Sequence, residues 1–224
     1  MKSELSSMLY ALVEASNYAV LPPTVVAVVR WSRLGAAQHF FARALLLIAT
    51  IQLAAVVAIH HDVMNMPLYH LYLLVEAPAL LWLYCFRLQG NPVAKVLPWA
   101  AGGFVLVLLV NIALQKSWGD LPSIPRTIEG VLMCVLALVY FRHVFQERKV
   151  KYLAKSFWFW LSSGLFLYFS GNLMLFMFTN LLLPLEDELF YGAWAIHGVL
   201  NFMLYAVYSI ALLCRDRTSS SSSL

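Results

Sequence analysis

Seven long apolar segments constrain this chain more than any other feature of its sequence. Each contains about 20 mostly apolar residues, which is the length of helix that crosses the hydrocarbon core of a bilayer. The seven predicted spans cover residues 8–31, 37–59, 68–86, 93–114, 127–145, 157–180 and 189–213. Charged residues make up only 12% of the chain, against about 25% in soluble domains. The sequence therefore predicts an all-α, polytopic membrane protein with a seven-transmembrane-helix bundle.

The connections between the spans are short and rich in turn residues, such as Met66-Pro67 and Gly90-Asn91-Pro92. Short connections place successive helices side by side in antiparallel pairs. We therefore expect residues 1–214 to form a single transmembrane domain, with Pro22-Pro23 kinking its first helix. Residues 215–224, which end in a run of serines, are expected to be a polar tail.

The distribution of basic residues predicts the orientation of the bundle. Twelve of the 15 lysines and arginines fall on the side that also holds the C-terminus, and only Lys2, Lys116 and Arg126 fall on the other side. Short cytoplasmic loops collect lysine and arginine. The N-terminus is therefore expected outside and the C-terminus in the cytoplasm. This distribution accounts for the net charge of +4 without a nucleic-acid partner.

Polar side chains recur in the outer half of every predicted span. Glu76 and His197 each lie eight residues from the outer end of a span, which is a depth of about 12 Å. Ionisable groups at such depth usually face the bundle interior or a water-filled cavity. The layer predicts a ligand-binding pocket that opens to the outside; the alternative is a hydrogen-bond network that only joins the helices. The candidate ligand-binding residues are Glu76, Glu129, Asn172, His197, Asn201, Asn17 and Gln52.

The chemistry of this layer has several interpretations. Glu76 and His197 could form an ion pair or share a proton, and Glu129 could be a site residue or pair with Arg126 at the interface. Zinc would also accept ligands of the types found here, but no HExxH or HxxxH spacing occurs, and we expect no metal or other cofactor. If a metal were bound, the candidate ligands would be His60, His61, His70, Glu76 and His197.

A basic segment follows the fifth predicted span on the cytoplasmic side. It is the natural place for a cytoplasmic partner to bind, since it presents several positive charges next to the membrane. The candidate partner-binding residues are Arg142, Arg148, Lys149, Lys151 and Lys155.

Two known classes of seven-helix protein fit the sequence poorly. The last span contains no lysine that could form a Schiff base, which excludes retinal in the linkage used by microbial rhodopsins. That span also contains a single histidine, His197, where membrane hydrolases of the ceramidase type have a spaced pair.

Four short motifs resemble uncharacterised bacterial seven-helix membrane proteins, some of which accompany signalling genes. The resemblance implies an integral protein of the bacterial inner membrane and no established activity. The motifs are residues 70–76, residues 126–129, residues 157–169, and Ile196-His197 with Asn201.

Three functions remain open from the sequence. The first is a sensor or receptor-like protein that binds a small ligand, ion or proton in the outer pocket and signals to a cytoplasmic partner. The second is a metal-dependent intramembrane hydrolase that acts on lipid. The third is a transporter or proton-coupled carrier, for which polar residues should continue through the inner half of the bundle. A protein without catalytic activity is the expectation.

Overall fold

The computed structural model describes residues 2–114, 122–146, 150–182 and 187–214. Two short 3-10 helices lie at Trp31–Arg33 and Val150–Lys155, and these ranges contain no strand. The α-helices are α1 (Lys2–Ser16), α2 (Leu21–Val29), α3 (Ala36–His60), α4 (Met66–Arg87), α5 (Val93–Leu114), α6 (Ser123–Gln146), α7 (Phe157–Leu182) and α8 (Asp187–Leu213).

Seven helical segments are long and apolar enough to cross a membrane, with α1 and α2 together forming the first. This confirms the predicted all-α architecture with seven apolar helices, and it indicates an integral membrane protein. Large apolar side chains on the surface fit this conclusion, since Trp99, Leu114 and Val29 are each more than three-quarters exposed. In water such side chains would be costly, whereas lipid accepts them.

The first span is broken rather than kinked. Helix α1 ends at Ser16, four residues form a turn, and α2 begins at Leu21 with Pro22 and Pro23 in its first turn. Proline suits this position because the first residues of a helix have no intrahelical partner for their N–H groups. The carbonyl of Ser16, left at the end of α1, accepts a hydrogen bond from Asn201 Nδ2 at 3.0 Å.

The helices close into a ring in which each span contacts the next along the chain. Helix α8 completes the ring by packing on α7, α1 and α2, while α4 also contacts α6 directly. Helix α5 therefore lies outside the α4–α6 contact, and it is the least buried span, with 22% of its apolar window buried. The interior is thus lined by α1, α3, α4, α6, α7 and α8.

Small residues allow close packing of α7 on α8. A Cβ atom added at Gly164 would lie 2.9 Å from a Val207 side-chain atom, and one at Gly171 would lie 2.8 Å from Leu200. Such small-residue contacts are typical of membrane helices, where packing replaces the hydrophobic effect as the driving force.

We call the end of the bundle where α1 begins the amino-terminal end, and the end where α8 finishes the carboxy-terminal end. Gln38, which is 1% exposed, holds the carboxy-terminal end together. Its amide nitrogen donates to the carbonyls of Ala211 and Cys214 at 3.3 and 2.8 Å, and its oxygen accepts from the N–H of Gly35. Arg30 donates to the Leu213 carbonyl at 2.8 Å. These donors satisfy carbonyls that the end of a helix leaves without partners.

Candidate ligand-binding site

A cavity of about 240 Å³ lies in the amino-terminal half of the bundle. Its lining runs from Asn65, in the loop between α3 and α4, to Tyr168 in the middle of α7. Apolar side chains such as Ile51 and Val56 share the wall with hydrogen-bonding groups. The polar lining residues are Ser16, Asn17, Gln52, Asn65, Tyr69, Tyr72, Arg126, Tyr168, Trp194, His197 and Asn201.

One wall of the cavity is backed by a buried charged cluster. Arg126 Nη1 donates to Glu76 Oε2 at 2.8 Å and to Glu129 Oε2 at 2.5 Å. The three side chains are between 0 and 5% exposed. Arg126 lines the cavity, whereas the two glutamates are not among its lining residues and lie behind the guanidinium. We refer to Glu76, Arg126 and Glu129 as the charged cluster.

Aromatic rings enclose the guanidinium of the charged cluster. The Arg126 Cζ atom lies 4.7 Å from the centre of the Phe176 ring and 5.5 Å from those of Tyr72 and Phe169. Tyr168 contributes both a ring and a hydroxyl, which accepts from Arg126 Nη2 at 2.9 Å. Cation–π contacts gain strength where water is excluded, so these rings help to hold a cation inside an apolar bundle.

His197 reaches the cavity from α8 and is oriented by a chain of hydrogen bonds from α7. Asn172 Nδ2 donates to the Tyr168 carbonyl at 2.8 Å, so its oxygen is the atom that faces His197 Nδ1 at 2.9 Å. His197 Nδ1 is therefore the donor, and Nε2 of a neutral ring is an acceptor. The Trp194 ring packs edge-on against the imidazole, with 5.3 Å between the ring centres. The chain fixes both the direction of the ring and its tautomer.

Gln52 completes the wall on the side of α3. Its amide nitrogen donates to the Tyr205 hydroxyl at 2.7 Å, while its oxygen is buried without a partner among the described residues. The indole N–H of Trp194, which also lines the cavity, is buried without a partner in the same described set. Two lining residues of the cavity thus carry one acceptor and one donor that no described residue satisfies.

The structure brings all seven candidate ligand-binding residues to the cavity or to the side chains behind it. Asn17, Gln52, His197 and Asn201 line the cavity directly. The remaining three each form a hydrogen bond with a lining residue. Glu76 and Glu129 accept from Arg126, and Asn172 bonds His197. The suggested pairing of Glu76 with His197 is wrong, since each has another partner.

The candidate metal ligands do not gather at one place. His60 Nδ1 lies 2.9 Å from the Val56 carbonyl, and its Nε2 lies 3.9 Å from Glu14. His70 bonds the Met66 carbonyl, and His61 caps α3. No group of three or more His, Cys, Asp and Glu side chains among the described residues is placed to hold a metal ion.

Sequence reasoning treats Arg126 as an interfacial residue that could pair with Glu129, and it misses Arg126 as a residue of the site. The pairing is present, but both side chains are buried. Helix α6 begins at Ser123, so Arg126 lies within its first turn and points into the bundle. A signal for this exists: Arg126 and Glu129 are three residues apart on one helix face. Spacings of four residues also place Tyr72 with Glu76, and Tyr168 with Asn172, on common faces of α4 and α7.

The basic segment at the carboxy-terminal end is described only in part. Arg142 on α6 and Lys155 are exposed. Lys151 is described as part of the 3-10 helix Val150–Lys155 through its backbone, and Arg148 and Lys149 lie outside the described residues.

No protein-family model, curated protein or solved structure matches the chain.

Proposed function

We propose that this protein is a membrane receptor or sensor that binds a small polar molecule in the cavity and signals to a cytoplasmic partner. The observation that carries the proposal is the cavity of about 240 Å³, with its polar wall backed by the charged cluster. A bundle held together by polar contacts alone would have no need of a cavity. This one is larger than the engineered cavity of about 150 Å³ that accepts benzene.

The lining favours an uncharged ligand about the size of a single ring. Arg126 is the only lysine, arginine or acidic side chain in the described lining. Its charge is already compensated by Glu76 and Glu129, neither of which lines the cavity. An anion would therefore find no free positive charge there, and a cation would meet the guanidinium first. Amides, hydroxyls, the imidazole and the indole supply hydrogen bonds to a neutral molecule.

The helices that line the cavity also reach the carboxy-terminal end. Helix α6 runs from Arg126 at the cavity to Arg142 in the basic segment, and α8 runs from His197 to the carbonyls held by Gln38. A ligand that shifts α6 or α8 would therefore move the surface that a cytoplasmic partner contacts. Such a shift requires that the ligand bind one arrangement of the helices more tightly than the other.

Two matched variants of α3 test ligand binding. Ala55 lines the cavity and Ala54, its neighbour on the helix, is exposed, so Ala55→Phe fills the cavity while Ala54→Phe adds the same volume to the lipid-facing surface. Thermal unfolding is measured in detergent with a panel of neutral, cationic and anionic single-ring compounds. We expect neutral compounds to stabilise the wild type and Ala54→Phe, by about 2.7 kcal/mol at 100 times Kd.

Ala55→Phe should show no such stabilisation, because its cavity is occupied by the added ring. Equal stabilisation of Ala55→Phe and Ala54→Phe would place the compounds elsewhere on the protein and contradict the proposal. A panel that stabilises none of the three proteins would contradict it as well.

A further inference from the structure

The formal charges of the cluster do not balance. One guanidinium faces two carboxylates, and all three side chains are at most 5% exposed. If both glutamates were ionised, one negative charge would remain buried in an apolar bundle without a counter-ion. Burial of an uncompensated charge is costly enough that a group usually changes its protonation state instead.

Among the described residues, the other titratable groups that face the cluster supply no positive charge to the carboxylates. They are five tyrosines and one histidine: Tyr69 and Tyr72 of α4, Tyr168 of α7, and His197, Tyr205 and Tyr208 of α8. The charged neighbour of His197 is Arg126, so a proton on this imidazole would place two cations side by side. Compensation must therefore come from within the cluster.

The two carboxyl groups are placed to share a proton. One nitrogen, Arg126 Nη1, bonds an oxygen of each group, which holds the two carboxyl groups side by side. The second oxygen of Glu129, on a side chain that is 0% exposed, has no hydrogen-bond donor in the part of the chain that the structure describes. Two carboxylates held together at one site cannot both ionise readily, and a proton on one lets it donate to the other.

The geometry points to a proton rather than a metal ion as the neutralising species. The place between the two carboxylates, where a cation would lie, is occupied by Arg126 Nη1. We propose that Glu76 and Glu129 form a proton-binding site, holding one proton between them at neutral pH. The site does not depend on the proposed ligand function. If both are present, ligand affinity will vary with pH, because the charge beside the cavity changes.

Infrared spectroscopy tests the site directly, since a protonated carboxyl has a carbonyl band that a carboxylate lacks. Spectra of the full chain are recorded at neutral pH in a detergent without ester groups, in H₂O and in D₂O. The wild type should show one such band per chain, shifted in D₂O. Glu76→Gln and Glu129→Gln should each lose the whole band, because the remaining carboxylate then pairs with Arg126 and needs no proton.

Glu14→Gln is the matched control, since Glu14 is an α1 glutamate whose side chain is 44% exposed, and it should keep the band. Absence of the band from the wild type would overturn the proposal without any variant. Persistence of the band in both Gln variants would overturn it too, because the proton would then belong to another group. Loss in the Glu14 variant would have the same meaning.

Discussion

At the scale of single residues, Arg126 connects the two glutamates to the cavity. Its Nη1 atom bonds both carboxylates, its Nη2 atom bonds Tyr168, and four aromatic rings lie within 6 Å of its Cζ atom. A cation so placed serves two roles, since it compensates the acids and presents a charged edge to the cavity. Replacing Arg126 by an uncharged side chain of similar size removes the charge and keeps most of the packing.

Arg126→Met is expected to destabilise the protein by about 3–5 kcal/mol, because the negative charge that the two buried glutamates carry loses its counter-ion. Adding Glu76→Gln and Glu129→Gln to Arg126→Met should restore most of the loss, since no buried charge remains. Unfolding in detergent, followed by circular dichroism, measures both proteins. A single variant as stable as the wild type would mean that the charged cluster is not a compensated ionic unit.

Tyr168→Phe tests the contribution of the hydroxyl while keeping the ring. The hydroxyl accepts a hydrogen bond from a buried cation, so its loss should cost about 1.5–3 kcal/mol. Tyr10→Phe is the control, because Tyr10 is 50% exposed near the amino-terminal end. Comparable losses in the two variants would argue against a specific role for the Tyr168 hydroxyl.

The sequence predicted that the polar residues lie in one half of the bundle, where the structure brings them to one cavity, but it predicted their partners only in part. Of the two suggested pairings, Arg126 with Glu129 is present, whereas Glu76 and His197 have other partners. Depth follows from counting residues along a helix, which placed Glu76 and His197 in one layer. Partners depend on the rotation of each helix, which no count fixes: Glu76 faces Arg126 of α6, whereas His197 faces Asn172 of α7. Hydropathy begins the fifth span after Arg126 because it registers the cost of burying a charge and ignores the carboxylates that offset it.

At the scale of helices, the contact between α7 and α8 depends on two glycines. Gly164 and Gly171 lie seven residues apart on the face of α7 that meets α8. Because α8 carries His197 and α7 carries Asn172, the separation of these helices sets the geometry of the cavity wall.

Gly164→Ala and Gly171→Ala should each destabilise the bundle by about 1–3 kcal/mol, because the added methyl group overlaps a neighbouring side chain. Gly103→Ala on α5 is the control, since nothing lies within 4 Å of its added Cβ atom. The free energy of unfolding in detergent is compared across the three. A control as destabilised as the α7 variants would show that loss of packing space is not the cause.

The helix boundaries show how far apolar runs predict elements. The predicted span 93–114 coincides with α5, but the fifth span was placed four residues late because the run begins after Arg126. The first span is one continuous apolar segment in the sequence, in which Pro22-Pro23 indicates a kink. The structure places a break in the helix at residues 17–20.

At the scale of the whole molecule, an apolar surface surrounds a bundle that contains a polar cavity in one half. Twelve of the 15 basic residues lie on the predicted cytoplasmic side, so the proposed orientation places the cavity on the outside. A receptor needs this arrangement, with a pocket on one side of the membrane and a contact surface on the other. The proposed function therefore requires that the cavity be open to the outside.

Thiol labelling in intact cells tests whether the cavity is open to the outside. In a background with Cys85, Cys134 and Cys214 replaced by serine, single cysteines are placed at Ala55 in the cavity, at Ala54 on the surface of α3, and at Ala154 near the carboxy-terminal end. A charged, membrane-impermeant methanethiosulfonate reagent should label Ala55→Cys in intact cells and leave Ala54→Cys unlabelled in lipid.

Ala154→Cys should react only after the cells are opened. Labelling of Ala55→Cys that also requires opened cells, or that never occurs, would contradict a cavity open to the outside.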